Sequence, residues 1–556
     1  MDTDQVSFHP VMAHRWGWSR WVLVALTLLA WALRLPPILD NRFHADEALY
    51  GYWGLLIGRG QDPWLAGVPV YKPPLLPYLV AGSQMLFGNS EFTVRLTGLT
   101  AGLLTVSLVA ALASSLYRDR WTAVAAAVGV ALSPFAILFS ATAFTDPVMV
   151  VLGLAACVAA ARGRPGWAGL LAGLAFAVKQ TGLAWLPLVG AIQISTLKFQ
   201  TRNLKPLLSV FGHWSLVIGL VFAWDAVRVA QGAQSFWRLG VTGYGGLRLI
   251  WPQELWSRLR GWLMLARYFF SSPILDGMLL VGLPMLVWNG FTRRRYARES
   301  FVDFLLVSFS LVYFLFHWLW AFPVWDRYLL PLVPVLAILL SRVLIFLAAY
   351  VQLVIRCDRS GRRSQFVICA LPLFIVCCLL FICLIPPAWN ATHSHYPVGG
   401  DHWAYDGIDE VAAFLCKLPE GAVVYQHWLG WHYAYHLFDA PVYLAYWPTP
   451  AWLARDVQAF GAKEPRYVTF PSWESSARVE RALAGVGYEL RPVLITTRRD
   501  GTSSFTVYHI RPLSLYVDCA SDRRQVTEGT TQSLAQSNVL CDNVSCQILK
   551  GCQINI

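Results

Sequence analysis

Apolar runs recur along this chain at 21–39, 92–117, 121–139, 147–161, 167–178, 182–197, 207–227, 273–290, 301–322, 328–350 and 366–386. A helix needs about 20 apolar residues to cross the hydrocarbon core of a bilayer. Some of these runs are shorter than that, yet the pattern most simply predicts eleven transmembrane helices. The two short runs flanking Lys179 could equally form one kinked or re-entrant pair. Residues 40–91 interrupt the pattern. Their stretches 48–56 and 75–86 predict short helices lying on a membrane surface, and 235–267, rich in Trp, Tyr and Arg, suits an interfacial segment. After Trp389 the periodicity changes. Helical spacing over 406–418 and 475–484 alternates with strand candidates at 422–425, 466–470, 494–497 and 505–510, which predicts a small α/β domain. From residue 513 a Ser/Thr/Gln/Asn-rich tail gives no periodic signal and reads as poorly ordered. No internal repeat is evident.

Composition supports that reading. Of 556 residues, 56% are hydrophobic and only 14% charged, against about 25% charged in soluble domains. The predicted fold class is an α-helical polytopic membrane protein with a small C-terminal α/β domain. The net charge of +12 would suggest nucleic acid in a soluble protein, but here the basic residues sit in short loops. Arg15/Arg20, Arg118/Arg120, Arg162/Arg164, Lys198/Arg202/Lys205, Arg293/Arg294/Arg295/Arg298 and Arg356/Arg359/Arg362/Arg363 fall in alternate loops. The positive-inside rule puts all of them in the cytoplasm. The chain then divides into a cytoplasmic N-terminus (1–20), a transmembrane catalytic domain (21–387) with outer loop 40–91, an extracytoplasmic α/β domain (388–512) and a tail (513–556). No small-residue cleavage site follows the first apolar run, which reads as a retained helix. Of the 11 cysteines, Cys157, Cys369, Cys377, Cys378 and Cys383 lie in apolar runs and suit packing. Cys519, Cys541, Cys546 and Cys552 crowd the tail, where an oxidising face would allow disulfides.

The charged residues at the outer ends of the spans carry the candidate chemistry. Loop 40–91 holds the adjacent carboxylates Asp46 and Glu47, and Lys72 in a Lys-Pro-Pro corner. Asp46 could simply start a helix. Two neighbouring carboxylates face different ways, so one could take a proton from a substrate hydroxyl while the other holds a cation. Lys72 is either a snorkelling lysine or a ligand for a lipid phosphate. Arg95 could be a second phosphate ligand or the partner of an acidic loop residue. Asp146, before Pro147, is a helix cap, a site residue or both. Lys179 is a site candidate or a structural ion-pair partner. Arg327 and Tyr328 open a span after Pro323. His317 reads as a packed interfacial residue. Nucleotide sugars and ATP are cytoplasmic, so an outward-facing enzyme needs a donor already carried across the membrane. A lipid-linked phosphate leaves with help from cations, which suits one carboxylate base among several Lys and Arg. No nucleophile elbow, Cys/His pair or P-loop is present.

The motifs His44-Ala45-Asp46-Glu47-Ala48-Leu49-Tyr50, Lys72-Pro73-Pro74-Leu75, Arg95-Leu96-Thr97, Gly173-Leu174-Ala175 through Lys179, and Asp326-Arg327-Tyr328-Leu329-Leu330-Pro331 together resemble the GT-C superfamily of membrane glycosyltransferases. The branch they are most similar to is the bacterial relatives of dolichyl-phosphate-mannose protein mannosyltransferase and of the lipid A aminoarabinose transferase. The resemblance covers about 21–387. It implies a GT-C fold, a polyprenyl-phosphate-sugar donor, and inverting transfer to a hydroxyl acceptor of protein, lipid or envelope glycan on the outer face of the cell membrane. It places Asp46 as the base or acceptor-orienting residue, Lys72 as the donor-phosphate ligand, Asp146 as the second acidic residue, and Arg327 near the donor. It implies no required cofactor and leaves a divalent metal open. A transporter or flippase of lipid-linked sugars would also need cations and many spans. Such transporters usually carry internal repeats and mid-membrane charges; this sequence shows no repeat, and most of its charges lie at one face.

Overall fold

The computed structural model describes residues 17–196, 204–243, 248–292, 297–357, 365–461 and 463–513. The tail cysteines and the basic residues Arg15, Lys198, Arg202, Arg293–Arg295, Arg359, Arg362 and Arg363 lie outside that set. The chain forms two compact units, one from Met1–Gly240 with Leu247–Asp406, the other from Val241–Gly246 with Gly407–Ile556.

The first unit is helical. In order it contains α1 (Gly17–Asp40), α2 (Ala45–Gly58), α3 (Leu75–Phe87), α4 (Glu91–Tyr117), α5 (Arg120–Leu132), α6 (Pro134–Ser140), α7 (Thr145–Ala161), α8 (Pro165–Val178), α9 (Trp185–Thr196), α10 (Lys205–Ala230), α11 (Phe236–Gly243), α12 (Leu255–Ala266), α13 (Pro273–Thr292), α14 (Ala297–Leu319), α15 (Leu332–Cys357) and α16 (Gln365–Thr392). Starts are set by local chemistry. The Ser90 hydroxyl accepts from the Thr93 N–H (3.1 Å), and Asp119 accepts from the N–H groups of Trp121 and Thr122. Such caps satisfy donors that no helical carbonyl can reach. Among the described residues, α1, α4, α10, α13, α14 and α15 each contain a stretch long and apolar enough to cross a bilayer. The bent pair α5–α6 makes a seventh. This is fewer than the eleven spans expected. Helices α7, α8 and α9, with 17, 14 and 12 residues, fall short of about 20, and only Cys378–Thr392 of α16 enters that comparison. Helices α2 and α3 fall where amphipathic spacing placed them.

The α5–α6 pair bends by 59° at Ser133–Pro134. Pro134 has no N–H, so the Val130 carbonyl loses its helical donor. The fully buried Arg34 of α1 replaces it, donating to Val130 O (3.3 Å), Ala131 O (3.1 Å) and Ala30 O (2.9 Å). A guanidinium within a span is thus matched to carbonyls that the break exposes.

The second unit is a five-stranded mixed sheet in the order β2-β1-β3-β5-β4, with β1 (Val423–Gln426), β2 (Tyr443–Tyr446), β3 (Arg466–Pro471), β4 (Tyr488–Thr497) and β5 (Ser503–Pro512). Strand β1 pairs parallel with β2 and β3, and β5 pairs antiparallel with β3 and β4. Helices α17 (Ile408–Leu415), α18 (Gly430–His436), α19 (Pro450–Phe460) and α20 (Ala477–Ala484) complete it. Tyr425, Trp447, Leu453, Val457, Phe470 and Leu483 lie in its core. The sequence pattern found β1, β3, the second half of β4, β5, α17 and α20 but missed β2, α18 and α19. Strand β2 is a four-residue edge strand with little burial, so it carries no alternation to read.

Candidate active site

The site grows from the first turn of α2. The His44 side chain accepts the Asp46 N–H (3.1 Å), and the Glu47 carboxylate accepts the His44 N–H (2.9 Å). This is a capping box with histidine in the usual Ser/Thr position. It fixes two successive carboxylates, about 100° apart around the helix, toward different surroundings.

Glu47 faces inward and is fully buried. It accepts from Arg95 Nε (2.8 Å), Arg95 Nη2 (3.0 Å) and the Ala143 N–H (2.9 Å). The remaining guanidinium donors of Arg95 go to the carbonyls of Ile38 (3.1 Å), Asn41 (2.7 Å) and Arg42 (2.7 Å). One arginine therefore ties the end of α1, the start of α2, α4 and the turn before α7. Close packing supports the same junction, because a Cβ on Gly98 of α4 would overlap the Thr142 carbonyl.

Asp46 faces the other way, with a side chain 21% exposed. It forms an ion pair with Arg327 Nη1 and accepts from the Tyr71 hydroxyl (3.3 Å). Burial pushes its carboxyl up, but Arg327, His44 and Lys72 outweigh burial and hold it well below the usual carboxylate range. Arg327 projects from a short 3-10 turn (Asp326–Leu329), with its guanidinium over the rings of Trp325 (4.4 Å) and Phe144 (5.3 Å). Asp326 fixes that turn by accepting from the N–H groups of Arg327 (2.8 Å) and Gly399 (2.7 Å).

Lys72 is buried at the Pro73–Pro74 corner, its ammonium 5.2 Å from the Tyr71 ring centre. Burial lowers its pKa well below the ordinary lysine value. Lys179 and Arg327 lower it further, against Asp46 and Asp146. Asp146 opens α7 and receives Lys179 Nζ at 2.6 Å, with both groups buried. The same ammonium lies 4.4 Å from the Tyr328 ring centre. Lys179 is positioned by the break after α8, and Gln180 beside it donates to the Tyr71 carbonyl (2.8 Å).

Residues from four separate stretches thus meet at one end of the bundle. Asp46, Lys72, Asp146, Lys179, Arg327 and Tyr328 form one cluster, with three cations to two carboxylates. Glu47 and Arg95, which the sequence had grouped with them, are engaged with each other beneath it. His317 is packed as expected, between Trp262, Tyr313 and Tyr328, its Nδ1 paired with the Tyr313 carbonyl (2.9 Å). Sequence reasoning missed Tyr71 and the segment 394–406, and it quoted His44 and Asp326 within motifs without giving either a role. That segment approaches the cluster through Gly399 N–H on Asp326 and the Tyr405 ring against His44 (6.4 Å). A Glu three residues after His44 was the one readable signal, as a variant capping box. Among the described residues no group of three His, Cys, Asp or Glu side chains could hold a metal ion.

Fold and cluster together define a polytopic helical membrane protein with a charged site built from the ends of several helices. Residues 71–224 match the family model described as dolichyl-phosphate-mannose-protein mannosyltransferase. Among solved structures, the chain is similar to ArnT from Cupriavidus metallidurans in the apo state. The TM-score is 0.60 and the identity 14%, over 88% of this chain and 98% of that one. It is also similar to the same protein bound to undecaprenyl phosphate, with TM-score 0.55, 13% identity and the same coverage. No curated protein sequence matches the chain.

Proposed function

We propose that this protein transfers a sugar from a polyprenyl-phosphate donor to a hydroxyl acceptor at the extracytoplasmic face of the membrane, with inversion. The observation that carries the proposal is the cluster itself: a carboxylate held ionised, half open, beside Lys72, Lys179 and Arg327. Asp46 takes the proton of the acceptor hydroxyl. The acceptor oxygen forms a bond to the anomeric carbon as the carbon–oxygen bond to phosphate breaks, and polyprenyl phosphate leaves. Its negative charge is met by Lys72 and Arg327, with Lys179 oriented by Asp146. Lys72, Lys179 and Arg327 supply the positive charge that an anionic donor neutralises. Binding of that phosphate also draws Arg327 from Asp46 and makes the carboxylate a better base. Glu47 and Arg95 act on this chemistry by fixing the first turn of α2. The undecaprenyl-phosphate complex of the similar ArnT structure supports the carrier class. The alternating basic loops support a cytoplasmic N-terminus and an extracytoplasmic C-terminal domain. No described observation favours a transporter.

The test is purified full-length protein with a polyprenyl-phosphate sugar and candidate acceptors. Transfer by the wild type and its loss in Asp46→Asn is the expected result. Unchanged transfer in Asp46→Asn refutes the mechanism, and lipid scrambling without transfer refutes the class. Lipids from cells lacking the protein, read for an accumulated polyprenyl-phosphate sugar, identify the donor.

A further inference from the structure

Helix α12 has two faces. Its inner face is fastened to the end of α14, whose last carbonyls lack helical donors. Arg258 supplies them: its Nη2 donates to the carbonyls of His317 (3.2 Å), Trp320 (2.6 Å) and Phe322 (2.7 Å), and its Nε to Trp318 (3.3 Å). Trp318 Nε1 returns a bond to the Leu255 carbonyl (2.9 Å). Trp262, fully buried, packs against His317 and Tyr328. The inner face therefore abuts the turn that carries Arg327.

The outer face is different. Trp256, Leu259, Arg260, Leu263, Met264 and Arg267 line an open groove of about 280 Å³. Trp256, Leu263 and Met264 are exposed despite being apolar, and both arginines are exposed. No carboxylate lines the groove. The residues follow helical spacing, and the two guanidiniums stand seven residues apart, about 10 Å along the axis. With 12 residues, α12 is too short to cross a bilayer, and an apolar stripe bearing cations suits the headgroup boundary.

We propose that this outer face is a docking site for anionic phospholipid, with a phosphate at Arg260 or Arg267 and acyl chain against Trp256, Leu263 and Met264. Charge complementarity argues for this occupant: two exposed guanidiniums border a groove with no carboxylate in its lining, Arg267 also lying over the Tyr268 ring (4.6 Å). Each basic residue at an anionic lipid surface contributes roughly fivefold to association, so removing both should weaken binding about 25-fold.

The test is native mass spectrometry of the purified full chain in mild detergent, titrated with phosphatidylglycerol or phosphatidylcholine. The wild type should retain phosphatidylglycerol preferentially. R260Q/R267Q should lose that preference by about 25-fold, and R260K/R267K should keep most of it. Equal retention of the two lipids, or undiminished phosphatidylglycerol binding in R260Q/R267Q, overturns the proposal. One-for-one displacement of phosphatidylglycerol by polyprenyl phosphate also overturns it, in favour of the carrier lipid. Retention is read without any transfer assay, so its failure leaves the transfer reading untouched.

Discussion

Asp46 and Glu47 are joined by one peptide bond and meet opposite fates. Glu47 is sealed beneath the site with Arg95, and its partners are a guanidinium and backbone N–H groups. Asp46 stands at the mouth, about a fifth exposed, with an arginine that stacks on two rings. Both are acid–arginine pairs. A buried pair with every donor used resists change, because removing one partner strands a charge in a low dielectric. A half-open pair can exchange its partner for a ligand. The difference separates a floor that holds geometry from a mouth that can do chemistry.

The comparison breaks most sharply at Asp46. Asp46→Asn should reduce transfer by roughly 10²–10⁴-fold while the melting temperature in detergent stays close to wild type. A comparable loss of folding would place Asp46 with the floor. Arg95→Leu should do the converse. It leaves Glu47 unpaired and should cost about 3–5 kcal/mol of stability, read as a large fall in melting temperature and in folded yield. Arg327→Lys keeps the charge but loses the planar fork and its stacking. It should raise the donor KM about tenfold, with a smaller change in kcat, when initial rates are followed against donor concentration.

The smallest effect concerns Asp401, in the segment beside His44. Burial pushes its carboxyl up to about 7; Arg95 opposes this, while Glu47 and Asp406 add to it. An ordinary aspartate titrates near 3.9. Between about pH 4 and 7 the folded state therefore binds more protons than the unfolded state, and its stability falls as pH rises through that window. Hydrogen exchange across 399–406 should be slower at pH 5.5 than at pH 8 after correction for intrinsic rates. Asp401→Asn should remove the difference, and an unaltered pH response in that variant would discard the assignment.

Much of the mouth was legible because intramembrane and near-membrane charge is expensive, and each such residue stands out against an apolar background. Lys179, Asp146 and Arg327 show themselves this way, and their convergence follows from the order of spans. The floor was less legible. Glu47 and Arg95 carry the same signal, and only geometry shows that they satisfy each other. Segment 394–406 gave no signal because its residues are held by backbone contacts and left-handed conformations at His402 (φ 48°) and Trp403 (φ 68°), which residue type does not announce. The run 121–139 read as one span; Pro134 breaks it, and its partner Arg34 lies about a hundred positions earlier, where no local pattern connects the two.

The brevity of α7 and α8 bears on how a substrate arrives. Seventeen and fourteen helical residues extend about 26 and 21 Å, against a hydrocarbon core of about 30 Å. Asp146 begins one of these helices and Lys179 follows the other. Helix α7 is almost wholly buried, so neighbouring helices rather than lipid surround it. On the transfer proposed above, the phosphate of a carrier lipid would meet Lys72 and Arg327 beside the ends of these two short helices.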